Sequence, residues 1–223
     1  MNHLELTGQT RDHIRQYENP RFAAHPEAAQ AFFALKEAAA KDGILLHPFS
    51  AFRDFKTQLR IWNQKFNNER PLYTVDGIPM EFSRLNEKEI ISAILGWSAL
   101  PGGSRHHWGT DIDVIDKAAV SDDYRVMLLP EEIQKGGVFY RLHCWLDKNI
   151  SRFGFFRPYS HFQGGIFPES WHLSYRSLAD KALSELSFDI IEQTIVDCDI
   201  GGKNSLLELL PEIYSKYILN ISQ

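Results

Sequence analysis

The run Asp111-Ile112-Asp113-Val114-Ile115-Asp116 constrains this chain more than any other, because its polar and apolar residues alternate. Successive side chains of a β-strand point to opposite faces, so Asp111 and Asp113 share one face of a short strand and Ile112 and Val114 share the other. Helical and extended patterns alternate around it. Pro26 stands in the first turn of one helix and Gly43 just past its end. The strand-like run from Ile44 to Phe52 follows. Asp54 caps a helix whose apolar stripe is Phe55, Leu59, Trp62 and Phe66. Asn86 and Glu89 stand at capping-box spacing before Ile90, Ile91, Ile94 and Leu95, in a helix that ends before Pro101. Pro101 to Thr110 is a loop by composition. After the aspartate strand come a helix around Phe139 to Ile150, a strand at Phe155 to Tyr159, a turn at Gly164-Gly165 and a strand from Ser170 to Tyr175. From Arg176 onward the pattern is helical, with Pro211 near the start of a final helix or at a break in it.

Helices at both ends and short strands between them predict an α+β fold, with a small central antiparallel sheet flanked by helices. The hydrophobic content of 43% is ordinary for a globular core. The net charge of −5 and the lack of any Lys/Arg run give no footprint for nucleic acid or an anionic membrane. No apolar stretch approaches the roughly 20 residues that cross a bilayer. The opening residues lack the basic start, apolar run and small-residue cleavage site of a secretory signal. Cys144 and Cys198 are too few for a disulfide framework or a Cys-rich metal site, and read as buried small side chains or one bridge.

The chemistry concentrates in two places. In the first, His106 on the loop is followed by Asp113 on the strand, a nitrogen and an oxygen ligand that zinc accepts, and Gly109 between them permits a tight turn. In the second, Glu169-Ser170-Trp171-His172, the histidine completes a three-ligand site for one Zn2+ with a fourth position open to water. On a straight strand Glu169 would fall opposite His172, so the chain must bend after Pro168 for the carboxylate to reach that water.

Three ordered motifs carry a resemblance. Ser104-x-His106-x-x-Gly109-x-x-x-Asp113, Glu169-x-Trp171-His172, and Ser50-Ala51-Phe52-Arg53 with Gln58 beyond it resemble the D-alanyl-D-alanine carboxypeptidase family. That family includes the vancomycin-resistance carboxypeptidases and shares a core with lysostaphin-type peptidases and the Hedgehog signalling domain. The likeness runs from about Ile44 to Tyr175. It implies that His106, Asp113 and His172 bind zinc, that Glu169 is the general base, and that Arg53 stabilises negative charge on the substrate. It also implies that Gln58 and Ser104 belong to the substrate pocket, with Trp171 as a wall. The implied organisation is a single domain over residues 1–223, a peptidase core at about 25–180 and a helical C-terminal extension at about 181–223. The implied activity is hydrolysis of peptidoglycan stem peptides, as a DD- or LD-carboxypeptidase. An endopeptidase, lysin or exported toxin could use the same site. Such a substrate belongs to the cell envelope. The rival from another class is a zinc-stabilised binding domain without catalysis, which has no need of Glu169 or Arg53.

Two positions depart from the family. Asp111 stands where a small residue is common; it could orient a ligand, compete as one, or bind a substrate amine within the pocket. Phe52 replaces a tyrosine. Read alone, His3, His13, His25, His47, His143 and His161 are structural histidines, and His107 is either a pocket group or a surface neighbour. Trp108 and Trp171 are core or pocket-wall aromatics.

Overall fold

The computed structural model describes residues 1–222. A helical turn, α1 (His3–Leu6), precedes a hairpin of β1 (Arg15–Glu18) and β2 (Arg21–Ala24). His25 caps α2 (Pro26–Lys41), its ring nitrogen accepting from the Glu27 N–H. Then follow β3 (Leu46–Ser50), α3 (Phe55–Phe66), α4 (Glu87–Trp97), β4 (Asp111–Asp116), α5 (Pro130–Ile133) and α6 (Tyr140–Asn149). The chain continues through β5 (Phe155–Phe156), β6 (His172–Tyr175), α7 (Arg176–Glu185), α8 (Phe188–Val196) and α9 (Lys203–Ile213).

The expected α+β architecture is present. Its central sheet has the order β3-β4-β6-β5 and is antiparallel throughout. Pairing of β4 with β6 sets Asp113 opposite His172 and Asp111 opposite Ser174, while Ser50 of β3 flanks Asp113 from the other side. One face of these strands therefore collects polar side chains. The opposite face, Ile112, Val114 and Leu173, is buried among Phe32 and Leu35 of α2 and Leu142 and Leu146 of α6. Each such side chain contributes about 1.5–3 kcal/mol on burial, and a one-residue slip of β4 would exchange the faces. A second apolar cluster joins Trp62 of α3 and Ile91, Ile94 and Leu95 of α4 to Ile191 and Ile195 of α8 and Leu206 and Leu210 of α9. The C-terminal helices thus share a core with α3 and α4.

The caps follow the sequence: Asp54 accepts from the Thr57 N–H at 2.7 Å, and Asn86 and Glu89 satisfy each other's backbone. Four expectations shift. Phe155 to Tyr159 yields a strand of only Phe155–Phe156, because Pro158 has no N–H for a ladder and Arg157 turns away to the Ser170 carbonyl. The last strand starts at His172 rather than Ser170, since Glu169 to His172 form a turn. Pro211 lies inside α9 near its end, and the helix widens into a π-turn at Tyr214–Ile218 just beyond. Cys144 and Cys198 are half-buried free thiols, neither fully buried nor bridged. The β1–β2 hairpin and α1 have no counterpart in the sequence reading.

Candidate active site

His106 sits in a tight helical turn, Arg105–Trp108, which closes on Gly109 at φ +66°. A Cβ on Gly109 would lie 2.3 Å from Ile14 Cδ1 and 2.7 Å from the His25 nitrogen, so glycine is needed for close approach as well as for the left-handed turn. That turn delivers the chain straight into β4, and the strand pairing brings Asp113 to His172. The three side chains are 7%, 5% and 3% exposed for His106, Asp113 and His172. Asp113 Oδ2 is 3.4 Å from His106 Nε2, and its Oδ1 is 3.2 Å from His172 Nδ1.

The trio fits a divalent metal. One ligand atom from each residue lies within 4.8 Å of the others. Asp113 Oδ1 is a buried carboxylate oxygen without a hydrogen-bond donor, a costly arrangement that a cation would relieve. Two imidazoles and a carboxylate form a donor set suited to zinc. The orientation of His172 favours the same reading, because its Nε2–H donates to Asp111 Oδ1 at 2.8 Å and leaves the Nδ1 lone pair for the metal position. Burial alone would lower the His172 pKa, but the carboxylates of Asp111, Asp113 and Glu169 outweigh it and hold the ring's basicity well above the ordinary value. Burial would likewise raise the Asp113 carboxyl, and His106 and His172 more than reverse it, keeping it well below the usual range.

The bend required of Glu169 exists as a turn. The His172 N–H donates to the Glu169 carbonyl at 3.1 Å, and the Glu169 N–H donates to the Tyr159 carbonyl at 2.9 Å. The carboxylate is thereby turned to the same side as His172, with Oε2 3.3 Å from His172 Nδ1 and a side chain only 12% exposed. Burial raises its carboxyl above the ordinary value, against the opposing pull of His172. Arg53 arrives from the segment between β3 and α3. Its N–H donates to the His106 carbonyl at 3.2 Å, and its guanidinium donates to Gln58 Oε1 at 2.7 Å and Ser50 Oγ at 3.0 Å.

Arg53, Ser104, His106, Asp113, Glu169, Trp171 and His172 line one cavity. Two expected substrate residues do not line it. Asp111 is wholly buried, and its carboxylate is consumed by Arg105 Nε at 2.9 Å, Thr110 Oγ1 at 2.5 Å and His172, so it orients a histidine instead of meeting substrate. Gln58 is also wholly buried; it holds Arg53 with its oxygen and donates to the Ala99 carbonyl at 2.7 Å, supporting the pocket from behind. His107 is neither pocket group nor surface neighbour. It accepts from the Gly102 N–H at Nε2, so Nδ1 carries the proton and donates to the Arg53 carbonyl at 2.7 Å. Burial lowers its pKa to about 3, and the neutral ring staples the loop to Arg53.

Several site residues escaped the sequence. Arg105 is buried over the Trp108 ring and bonds Asp111 and Ser174. Tyr159, pushed up to about 12 by burial, meets His172 edge-on with centroids 5.1 Å apart. Trp97 stacks on Trp171 at 6.1 Å. Lys65 lines the cavity from α3, and helical spacing from Gln58 was the one signal that could have found it.

Residues 21–178 match the VanY family, described as D-alanyl-D-alanine carboxypeptidase. An uncharacterized protein of Haemophilus influenzae is 34% identical over 122 residues, covering 54% of this chain and 93% of that protein. Another from the same organism is 41% identical over 98 residues, 43% of this chain and 67% of that protein. Among solved structures, VanYB in complex with D-alanine-D-alanine is 20% identical with a TM-score of 0.54, over 83% of this chain and 89% of that one. A vancomycin-resistance VanY D,D-pentapeptidase in complex with Zn(II) is 22% identical with a TM-score of 0.52, over 75% and 82%. These two share the fold. With the family match running from β2 into α7, the chain belongs to the VanY family of D-alanyl-D-alanine carboxypeptidases.

Proposed function

We propose that this chain is a zinc-dependent carboxypeptidase that removes the terminal D-alanine of peptidoglycan stem peptides. The reading rests above all on one observation: the unpaired, buried Asp113 oxygen between His106 and His172, with the Glu169 carboxylate beside them. Zinc held by those three side chains would polarise a carbonyl and bring the pKa of water to about 7. Glu169 takes the proton of the attacking water and returns it to the departing amine. Its raised pKa suits both proton transfers. Arg53, fixed by Gln58 and Ser50, faces the charge that develops on the scissile oxygen. Trp171, Trp97 and Tyr159 wall the cavity. Family membership and the D-alanine-D-alanine held by VanYB support the substrate class.

The test incubates purified protein with muropeptides of defined stem length, with and without a chelator, beside Glu169→Gln. D-alanine release should stop with chelator, return with zinc, and fall about 10²–10⁴-fold in the variant. The variant should still bind zinc. Cleavage indifferent to chelator, or to the loss of Glu169, refutes the proposal.

A further inference from the structure

A second depression, of about 660 Å³, lies between α4, the turn at residues 73–80 and the loop at residues 162–167. It adjoins the catalytic cavity, because Tyr73 lines both. A ladder of aromatic rings runs from one to the other. Trp171, in the catalytic cavity, stacks on Trp97 with centroids 6.1 Å apart, Trp97 meets Phe167 edge-on at 5.2 Å, and Phe167 meets Phe162 at 5.8 Å. Phe167 and Phe162 line the groove. Phe167 is fixed there: its N–H donates to the Gly96 carbonyl at 2.9 Å, and a Cβ on Gly96 would stand 2.4 Å from its ring, so the ring lies directly on the backbone of α4. Phe162 and Val75, also in the lining, are 54% and 41% exposed. Apolar side chains left in water along a formed groove mark a binding surface. Among the described residues that line it, the charged ones are Lys88 and Glu89. Lys88 is paired with Glu208 at 2.8 Å, and Glu89 accepts from the Asn86 N–H at 2.8 Å. The groove therefore offers apolar ring faces, the hydroxyls of Tyr73, Ser92 and Tyr217, and no net charge. That combination suits a neutral, hydroxyl-bearing ligand with apolar faces, the chemistry of a sugar ring. An ionised stem peptide gains no ion pair from it.

We infer that this groove binds the N-acetylated sugar rings from which a stem peptide hangs, so that the chain acts on peptide still joined to its glycan in preference to free peptide. The inference rests on the peptidase reading. The three steps of the ladder are together no longer than about five extended residues reach at roughly 3.3–3.6 Å each. A stem peptide with its far end at His106, Asp113 and His172 therefore brings its sugar to Phe162. The ring faces and acetyl methyl groups cover Phe162 and Phe167, and the sugar hydroxyls meet Ser92 and Tyr217.

Binding is measured by calorimetry on the zinc-loaded Glu169→Gln protein, which leaves the peptide uncut. The probes are a stem pentapeptide, the same pentapeptide joined to its N-acetylglucosaminyl-N-acetylmuramyl disaccharide, and N,N′,N″-triacetylchitotriose alone. The disaccharide peptide should bind about 10–100-fold more tightly than the free peptide, the worth of covering one or two apolar ring faces. The chitotriose should compete with the disaccharide peptide and leave the free peptide alone. Adding Phe162→Ala, at an exposed position, should erase the preference by weakening the disaccharide peptide alone. Ser92→Arg, which fills the groove from the exposed side of α4, should do the same. Equal binding of the two peptides, binding of neither, a preference that survives either variant, or chitotriose that fails to compete overturns the inference. So does a dimer in sedimentation that Phe162→Ala disperses and the sugar does not, since a second copy would then be the occupant. A sugar preference in protein whose wild type cuts neither peptide would count against the peptidase reading and leave the groove standing. Cleavage of both peptides without a sugar preference does the reverse.

Discussion

Replacing Asp111 with asparagine probes how the site is held from behind. Arg105 and Asp111 are 3% and 0% exposed, with Nε and Oδ1 2.9 Å apart. The same oxygen accepts from His172 Nε2 at 2.8 Å. Asparagine keeps the size and one acceptor but removes the charge. Stranding one partner of a buried ion pair costs about 3–5 kcal/mol, and because the acceptor survives, the lower end, about 3 kcal/mol, is expected. That is a large share of a total stability of about 5–15 kcal/mol. His172 also loses the group that keeps its proton on Nε2, and loss of such a partner weakens metal binding about 10–100-fold.

Urea unfolding of the metal-free proteins measures the first effect, and zinc competition with a chromophoric chelator measures the second. Burial would raise the Asp111 carboxyl, but Arg105, His172 and Thr110 outweigh it and hold it well below the ordinary range. A depressed carboxyl contributes its stability above the unfolded value of about 3.9 and loses it only as pH falls through the folded one. The carboxyl's own share of the Asp111→Asn deficit should therefore hold down to about pH 5 and shrink only in stronger acid, while the share that comes from Asp111 raising the His172 pKa is full below about pH 6.5 and shrinks as pH rises above it. Adding Arg105→Met removes the stranded cation and should recover part of the loss. A cost under about 1 kcal/mol, unchanged zinc affinity, or strict additivity with Arg105→Met would refute the reasoning.

Gly109→Ala forces a left-handed alanine against Ile14 and the His25 backbone, and should cost at least about 2 kcal/mol in urea unfolding while weakening zinc by displacing His106. Stability within about 0.5 kcal/mol of wild type would deny that the turn is tight. Asn63→Ala removes two bonds from α3 to the C-terminal segment, to the Asp199 carbonyl at 3.0 Å and from the Gly201 N–H at 2.8 Å. It should cost about 1–2 kcal/mol and raise KM with zinc affinity unchanged, because the ligands are carried by the sheet and its adjoining turn. A parallel loss of zinc affinity would contradict that separation.

The strand face that holds Asp113 was legible because alternation has a period of two and needs no partner to be read. The helices at Pro26 and Asp54 were legible because their caps and apolar spacings are local. What alternation does not encode is what stands across the face. Asp111 and Asp113 are equivalent in the sequence, and only the register of β6, with Arg105 folded over Ser174, makes one a holder of His172 Nε2 and sets the other between His106 and His172. Gln58 was drawn into the pocket by its motif, yet the helix turns its amide towards Arg53 and Ala99. Tyr159 comes from the segment between β5 and β6, and no local pattern announces that it ends beside His172. The β1–β2 hairpin lacks alternation altogether, and His107 could be placed only once its loop had closed on Arg53.

The cavity opens between the two apolar clusters, and each side brings a different kind of group. The sheet, backed by α2 and α6, brings His172, Asp113 and, through the turn before β6, Glu169. Helix α3, backed by α4 and the C-terminal helices, brings Lys65 and, at its start, Arg53. A divalent cation would balance Asp113 and Glu169. Arg53, Lys65 and Arg70 would then remain, in a chain whose net charge is −5. Overall charge gave no footprint for nucleic acid and was silent on this cavity, because the sum hides where the cations sit. Arg53 and Lys65 feel the Glu169 carboxylate without touching it, and cations held apart from their counter-charges in this way are poorly suited to holding two neutral backbones together. The same arrangement argues for an enzyme over a zinc-stabilised binding domain: stability alone would be better served by pairing or omitting those charges.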